Sequence, residues 1–452
     1  MEQNSEPLPR LVGTTAEGNL GTTSDGLARA SSKQENEERK YNAKILPDRN
    51  RSNSPSTSNY FKSAQWHVAH FCISSHHTDV QLRSPDGTTI LSSSYDNQLR
   101  SFVLPPDLLS PEQEPPHILT PYSSHQSPEP VYATDFHPAY NLQETSTCLA
   151  MASIRSLPIR LFSPFAPGIL ASYPLVSPTT EVYITPYSLL FSYANANHFF
   201  AGSNSRVSVF DLNRNGEGPM STRHTTPSRR HHTTAAGGMK GIVSTLAMSS
   251  DGILAAGTFS RWVGLYDGYG RGDTVSVFAV AQQREGDEST EGQGLTQVMW
   301  SQCGRYLCTV ERGSDGIGVL DIRGNRKWLA WLKGRNARTP QRLGVDMIGG
   351  EVCAGGTDGM VRVWDGLGMT EGVINPKWEY QAHGDVVSST IMHQSGSVLA
   401  TCSGRRHYDT SLEPASLELG SHAESSGMPS QSSLGPSSPA AVFDNSLKIW
   451  AL

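Results

Sequence analysis

Arginine recurs in this chain where its chemistry would be exposed. Arg155, Arg206, Arg261, Arg312 and the pair Arg405-Arg406 each follow a short run of small or apolar residues that reads as a strand. A guanidinium presents a planar fork of donors that matches phosphate or carboxylate oxygens two at a time. Exposed turns are often polar, so one arginine would mean little; the recurrence points to an anion-binding face. A second basic run carries Arg323, Arg326, Lys327, Lys333, Arg335, Arg338 and Arg342 with no acid inside it. Trp328 and Trp331 sit within that run, and aromatics interleaved with cations can hold single-stranded RNA by stacking and charge. Trp328–Leu332 also reads as an outer strand, so at least one Trp packs against a neighbour. Arg335 and Arg338, in the following loop, are therefore the RNA candidates of this run. Catalytic motifs are absent: no phosphate-cradling Gly loop, no HExxH, no GxSxG and no CxxC pair. His224, His231 and His232 read as part of a solvated basic loop rather than as metal ligands. No metal or cofactor is expected.

The elements that position these arginines are short strands. The clearest unit is Val352–Asp365, a strand, an Asp358-Gly359 turn and an alternating strand that ends in Trp364-Asp365. Gly tolerates the positive φ of such a turn, and a closing Trp-Asp is the mark of propeller blades about 40–45 residues long. The unit recurs seven times. Inner strands are predicted at Phe61–Trp66, Val131–Phe136, Tyr187–Phe191, Ile242–Met248, Leu295–Trp300, Arg342–Met347 and Val386–Met392. Each is followed by a pair of outer strands, with Arg in the turn of that pair in five units and Asp96 or Asp358 in the other two. A two-sheet sandwich would not repeat this way. The chain reads as an all-β, seven-bladed β-propeller over residues 57–452, with the turn arginines ringing one face.

Residues 1–56 are polar and poor in aliphatics, too few to offset the entropy of ordering, and read as mostly disordered. The last unit lacks a fourth strand, and propellers remove such an edge by borrowing a strand from the other end of the chain. The expected donor lies between Tyr41 and Tyr60. Three insertions stand out: residues 67–83, 213–238 and 405–440. The last two read as a mobile basic loop and a disordered Ser/Gly/Pro-rich excursion. His67–Arg83 reads equally as a genuine loop or as a retained intron. Net charge is −6, so any nucleic-acid site must be local. The six cysteines show no paired framework and suit reduced, buried thiols of a cytosolic or nuclear protein. Neither a signal peptide nor a membrane span is expected.

Phe61-Lys62 with Trp66, Ser84-Pro85-Asp86-Gly87, Tyr95–Arg100 and the exit Leu104-Pro105-Pro106-Asp107-Leu108 resemble the first blade of the telomerase Cajal body WD-repeat protein family. Pro158–Phe162, Gly241–Ser244, Val263–Tyr266, Gln341-Arg342 with Asp346, and Leu399–Arg405 extend the resemblance to the remaining blades. It implies a nuclear, non-catalytic scaffold that binds small RNAs or their ribonucleoproteins, of the Cajal-body, telomerase or spliceosomal type, together with further protein partners. The propeller would be a monomer within a complex, without a membrane role. The family pattern carries the turn arginines matched here by Arg155, Arg206, Arg261, Arg312 and Arg405; Arg406 adjoins them. It also implies a buried structural network of His383, Ser403 (or Thr401), Asp444 and Trp450. The competing reading is a protein-only adaptor or G-protein β-like scaffold, whose arginines would meet acidic peptides.

Overall fold

A computed structural model of the protein describes residues 9–15, 61–66, 87–110, 116–226, 238–280, 292–323, 327–404 and 444–452. They form seven sheets in a ring, antiparallel but for two added edge strands, a seven-bladed propeller. Blade two is representative: Val131–Phe136, Ala150–Ile154, Ile159–Phe162 and Ala171–Tyr173 run from the axis outward. Inner strands of successive blades lie beside one another, and that of blade seven meets that of blade one. The sequence pattern explains the core. Strands such as Thr89–Ser94 and Val398–Ser403 are buried on both faces, because each sheet is sandwiched between two others. Seven apolar clusters result, one between each pair of adjacent blades. Polar stitches cross the same interfaces. Asp135 on the inner strand of blade two accepts the Phe191 N–H of blade three at 2.8 Å, and Asp346 of blade six accepts the Met392 N–H of blade seven at 2.8 Å.

The ring is closed by Arg10–Thr14, which pairs antiparallel with Leu447–Ala451 as the fourth strand of blade seven. The donor therefore comes from well before the Tyr41–Tyr60 window, which lies outside the described residues. Val12 is buried in the cluster between blades seven and one, and Thr15 Oγ1 accepts the Leu447 N–H at 3.0 Å. Five residues with two apolar side chains suffice, because the partner strand supplies the ladder. The expectation of disorder over residues 1–56 is thus corrected at Arg10–Thr14. Two outer edges gain a fifth, parallel strand from the neighbouring blade's loop: His117–Ile118 beside the closing strand, and Gly372–Ile374 beside Lys327–Lys333 of blade five.

The insertion at 213–238 also differs from its reading as a loop. Ser221–His224 within it is the fourth strand of blade three. Its polar residues are the exposed edge of a sheet, which needs no apolar alternation. Residues 227–237 (with His231 and His232), the insertion at 67–83 and the insertion at 405–440 lie outside the described residues.

Candidate nucleic-acid interface

The turns between second and third strands share one end of the propeller with the loops that enter the inner strands. The Ser156 N–H donates to Thr185 Oγ1, the Ser205 N–H to the Gly241 carbonyl, and the Gln293 N–H to the Arg312 carbonyl. Each turn holds one residue in the left-handed region: Asn97, Ser156, Ser205, Arg261, Gly313 and Gly359 in blades one to six. This residue fixes where the turn side chains point. Arg155 and Arg312 immediately precede it, Arg206 follows it, and Arg261 is the left-handed residue itself. The arginines thus recur in equivalent turns but not at one equivalent position.

Their environments differ accordingly. Arg155 is exposed and makes no side-chain hydrogen bond or ion pair among the described residues. Arg206 makes one long bond, Nε to the Asn204 carbonyl at 3.4 Å. Arg312 has its Cζ over the Phe259 ring, 4.3 Å from the centroid, and bonds the Gln293 carbonyl at 3.4 Å. These three keep most of their donors for a ligand. Arg261 does not. Its Nε and Nη2 donate to the two oxygens of Glu311 in blade five, at 2.6 and 3.3 Å. Burial pushes the Glu311 carboxyl above its usual range, and Arg261 only partly offsets this.

The two loop candidates also separate. Arg338 is exposed but ion-paired with Asp315. Arg335 is 1% exposed, donates to the Leu343 carbonyl at 2.8 Å and leaves its Nε without a partner. Burial pushes its guanidinium down to about 10. As a side chain buried in the fold it is no surface contact, a correction to its reading as an RNA candidate. Arg405 and Arg406 lie outside the described residues. Trp328 and Trp331 pack edge to face in the outer strand of blade five, ring centroids 6.1 Å apart, so neither is a stacking platform on this face.

Two features of the face have no single-residue signal in the sequence. First, a bulge interrupts the inner strands of blades one, two, four, five and seven near their first turn, skipping Tyr132, Ser244 and Thr296 among others. A bulge frees a backbone group from the ladder and re-aims a side chain. The carbonyls of Ser244 and Thr296 both accept from Arg342 Nη2, the second at 2.8 Å. Arg342 is open to water at the mouth of the central channel but walled by inner strands. Burial, with Arg312 nearby, pushes it down to about 10. Second, aromatic rings run along the same end. Tyr132 lies 4.9 Å from Tyr187, and Tyr187 lies 6.2 Å from Phe259, on which Arg312 rests.

The buried network forms, and of its two candidate hydroxyls Thr401 is the member. The Trp450 Nε1–H donates to Thr401 Oγ1 at 2.9 Å, and Thr401 bonds His383 Nε2 at 2.8 Å. His383 Nδ1 faces Asp444 Oδ2 at 3.1 Å, and Asp444 also takes the Gly384 N–H at 2.9 Å. All are satisfied together when Nδ1 carries the imidazole proton. Thr401 fills the hydroxyl position; Ser403, one pleat nearer the turn, bonds the Val386 carbonyl at 3.2 Å instead. Burial holds His383 below the usual imidazole range. Burial opposes ionisation of Asp444, but His383, Ser446 and the Gly384 N–H outweigh it and hold the carboxyl well below the usual range.

No protein-family model matches the sequence. The chain is 29% identical over 318 residues to the guanine nucleotide-binding protein negative regulator 1 of Schizosaccharomyces pombe, covering 69% of this chain and 72% of that protein. It is 27% identical over 351 residues to human telomerase Cajal body protein 1, covering 76% of this chain and 59% of the human protein. Protein SWT21 of Vanderwaltozyma polyspora matches at 24% over 286 residues, 59% of this chain and 60% of that protein. The aligned region thus spans about three fifths of the human protein. Similarity along most of the ring, together with the seven blades themselves, supports the resemblance to the telomerase Cajal body WD-repeat proteins.

Proposed function

We propose that the protein is a non-catalytic nuclear scaffold that binds a small RNA, or the ribonucleoprotein built on it, through the arginine-bearing end of the propeller. The observation that carries this reading is the set Arg155, Arg206 and Arg312, three guanidiniums on one rim with no carboxylate partner among the described residues. The turns of blades two, three and four contain no acid, in a chain whose net charge is −6. The relatives named for a Cajal body and for telomerase support a nuclear ribonucleoprotein setting. The RNA would be of the Cajal-body, telomerase or spliceosomal type. Arg261 and Arg338 serve mainly to hold loops in place.

The test is the triple variant Arg155→Ala, Arg206→Ala, Arg312→Ala. Each phosphate contact to a single strand contributes about 0.7 to the slope of log affinity against log salt. The variant should melt like the parent and lose roughly 2 from that slope. An unchanged affinity and slope in a folded triple variant would sink the reading.

A second reading has its own observation. Ile169, Leu170, Val176, Val182 and Tyr183 are exposed together around the three-residue outer strand of blade two. Apolar side chains clustered this way mark protein contacts. A protein partner on the side of the ring is compatible with RNA on its end, and the relative named as a negative regulator of a guanine nucleotide-binding protein fits such a partner.

A further inference from the structure

The outer edges of blades five and seven are covered in the same way. The connection between the third and fourth strands of the next blade lays down a short parallel strand: His117–Ile118 of blade one beside the closing strand of blade seven, and Gly372–Ile374 of blade six beside the outer strand of blade five. Each covering segment also sends an apolar side chain into the seam it crosses. Leu119 is buried between blades seven and one, and Ile374 packs on the cluster between blades five and six.

Blade four cannot cover blade three in this manner. Its connection is Asp267–Asp273, folded back on itself: the Asp267 N–H donates to the Asp273 carbonyl at 3.1 Å, and the Gly272 N–H to the Asp267 carbonyl at 3.0 Å. The outer strand of blade three, Ser221–His224, therefore pairs with Arg206–Asp211 on one side and makes no backbone bond on its other side among the described residues. The seam beside it is open. A cavity of about 290 Å³ lies there, lined by Val207, Val209, Ser221 and Arg223 of blade three and by Gly270 and Arg271 of blade four. Val207 is opposite Arg223 in the ladder and Val209 is opposite Ser221, so these four share the face turned to blade four.

Both arginines at the cavity are held by neutral groups. Arg223 donates through Nη2 to the carbonyls of Arg271, at 3.2 Å, and Gly272, with its Cζ 4.9 Å from the Tyr266 ring centroid. Arg271 Nη2 lies 2.7 Å from His198 Nδ1. Neither has a carboxylate partner among the described residues, and no acid lines the cavity. A cation that only guarded a bare edge against aggregation would project into solvent; Arg223 is half-buried and turned into the seam. An open ladder edge, an apolar floor and two guanidiniums without a counter-ion thus meet at one place. A ladder edge takes an extended peptide by backbone hydrogen bonds, and a pocket beside it selects alternate side chains. Guanidinium forks select carboxylates.

We propose that the outer edge of blade three is a docking site for an extended acidic peptide of a partner protein, which pairs in parallel with Ser221–His224 and places a carboxylate in the cavity between Arg223 and Arg271. The site lies towards the end of the ring opposite the arginine-bearing turns and does not depend on the RNA-binding reading. The peptide does in trans for blade three what blades one and six do in cis for blades seven and five.

The test uses the full chain and a fluorescein-labelled peptide that alternates valine with glutamate, with its lysine counterpart and a copy methylated at the backbone nitrogens as controls. In fluorescence anisotropy the parent should bind the glutamate peptide and neither control, and amide hydrogen exchange should slow at Ser221–His224 in the complex. A hydrogen bond to a charged group corresponds to roughly 10- to 100-fold in affinity, so Arg271→Ala should weaken binding about tenfold and Arg223→Ala with Arg271→Ala by more. Ser221→Trp, at an exposed position on the cavity wall, should fill the cavity and abolish binding, which keeps the proposal testable if the arginine variants fold poorly. The triple variant Arg155→Ala, Arg206→Ala, Arg312→Ala should bind the peptide like the parent. Equal binding of the glutamate and lysine peptides, binding that survives Ser221→Trp, or loss of binding in the triple variant would overturn the docking site and leave the RNA reading standing. A parent that binds none of the peptides would overturn it equally.

Discussion

Removing Arg261 should destabilise the ring in a way that depends on pH. Its guanidinium grips both oxygens of Glu311 across the seam between blades four and five, with Arg261 25% and Glu311 5% exposed at the side chain. Breaking a buried pair from one side typically costs about 3–5 kcal/mol, because the remaining charge is stranded. Arg261 keeps a quarter of its surface in water, so about 2–3 kcal/mol is the better expectation for Arg261→Ala. The stranded group is an acid whose folded pKa already lies above its ordinary value, and losing Arg261 must raise it further. An acid with a raised folded pKa favours the folded state at low pH, and that contribution is lost as pH rises through the folded value. The deficit of Arg261→Ala should therefore be larger at pH 8 than at pH 5, because the lower pH favours the protonated form of the stranded Glu311. An unfolding entropy near 2.1 cal/mol/K per residue makes each kcal/mol worth roughly 1 °C in a chain of this length. Differential scanning calorimetry of parent and variant at both pH values resolves such shifts. A deficit equal at pH 5 and pH 8, or larger at pH 5, would refute the stranded-carboxylate argument.

Two further outcomes follow from the fold. Deleting residues 1–15 removes the fourth strand of blade seven and uncovers Leu447–Ala451, so the melting temperature should fall by many degrees and the protein should aggregate; light scattering during a thermal ramp measures both, and a melting curve like the parent's would disprove the closure. In the buried network, Thr401→Val should cost about 2–3 kcal/mol by leaving the Trp450 and His383 nitrogens unpaired, whereas Ser403→Ala, which ends one bond to a carbonyl, should cost about 1 kcal/mol; equal losses in denaturant titrations would mean that Ser403 is the network's hydroxyl after all.

The ring was legible in the sequence because its information is periodic. Strands buried on both faces must be apolar or small, turns must be polar, and the alternation in Met360–Trp364 matches the strand observed there. Outer strands were harder. Ser123–Gln126 and Ser221–His224 are held by their neighbours' backbone and carry hardly any apolar signal. The closing strand was misplaced for the same reason: Arg10–Thr14 is strand only because Leu447–Ala451 lies beside it. At the candidate interface, residue type and turn were readable but direction was not. A shift of one position about the left-handed residue sends Arg261 sideways into Glu311 while Arg155 points to solvent. Arg335, two residues past the end of its strand, looked as free as Arg338 but folds under the loop. The aromatic row could not have been read at all, since its members come from a bulge, a strand entry and a turn. Proximity to an arginine turn in three successive blades is the only pattern that links them.

The pairing of Arg10–Thr14 with Leu447–Ala451 also sets the timetable of synthesis. Arg10–Thr14 finds its partner only when Leu447–Ala451, made long after it, has emerged. At about 5–20 residues per second, roughly twenty to ninety seconds separate the two events on a ribosome. Throughout that interval blade seven has no outer strand, and the emerging blades are an open arc with a bare edge at each end. A ribosome that stalls anywhere before Leu447 therefore leaves a chain that cannot close, however well its individual blades have formed. Quality control of this protein then reduces to one event: whether Arg10–Thr14 has waited, uncaptured by any other edge, for Leu447–Ala451.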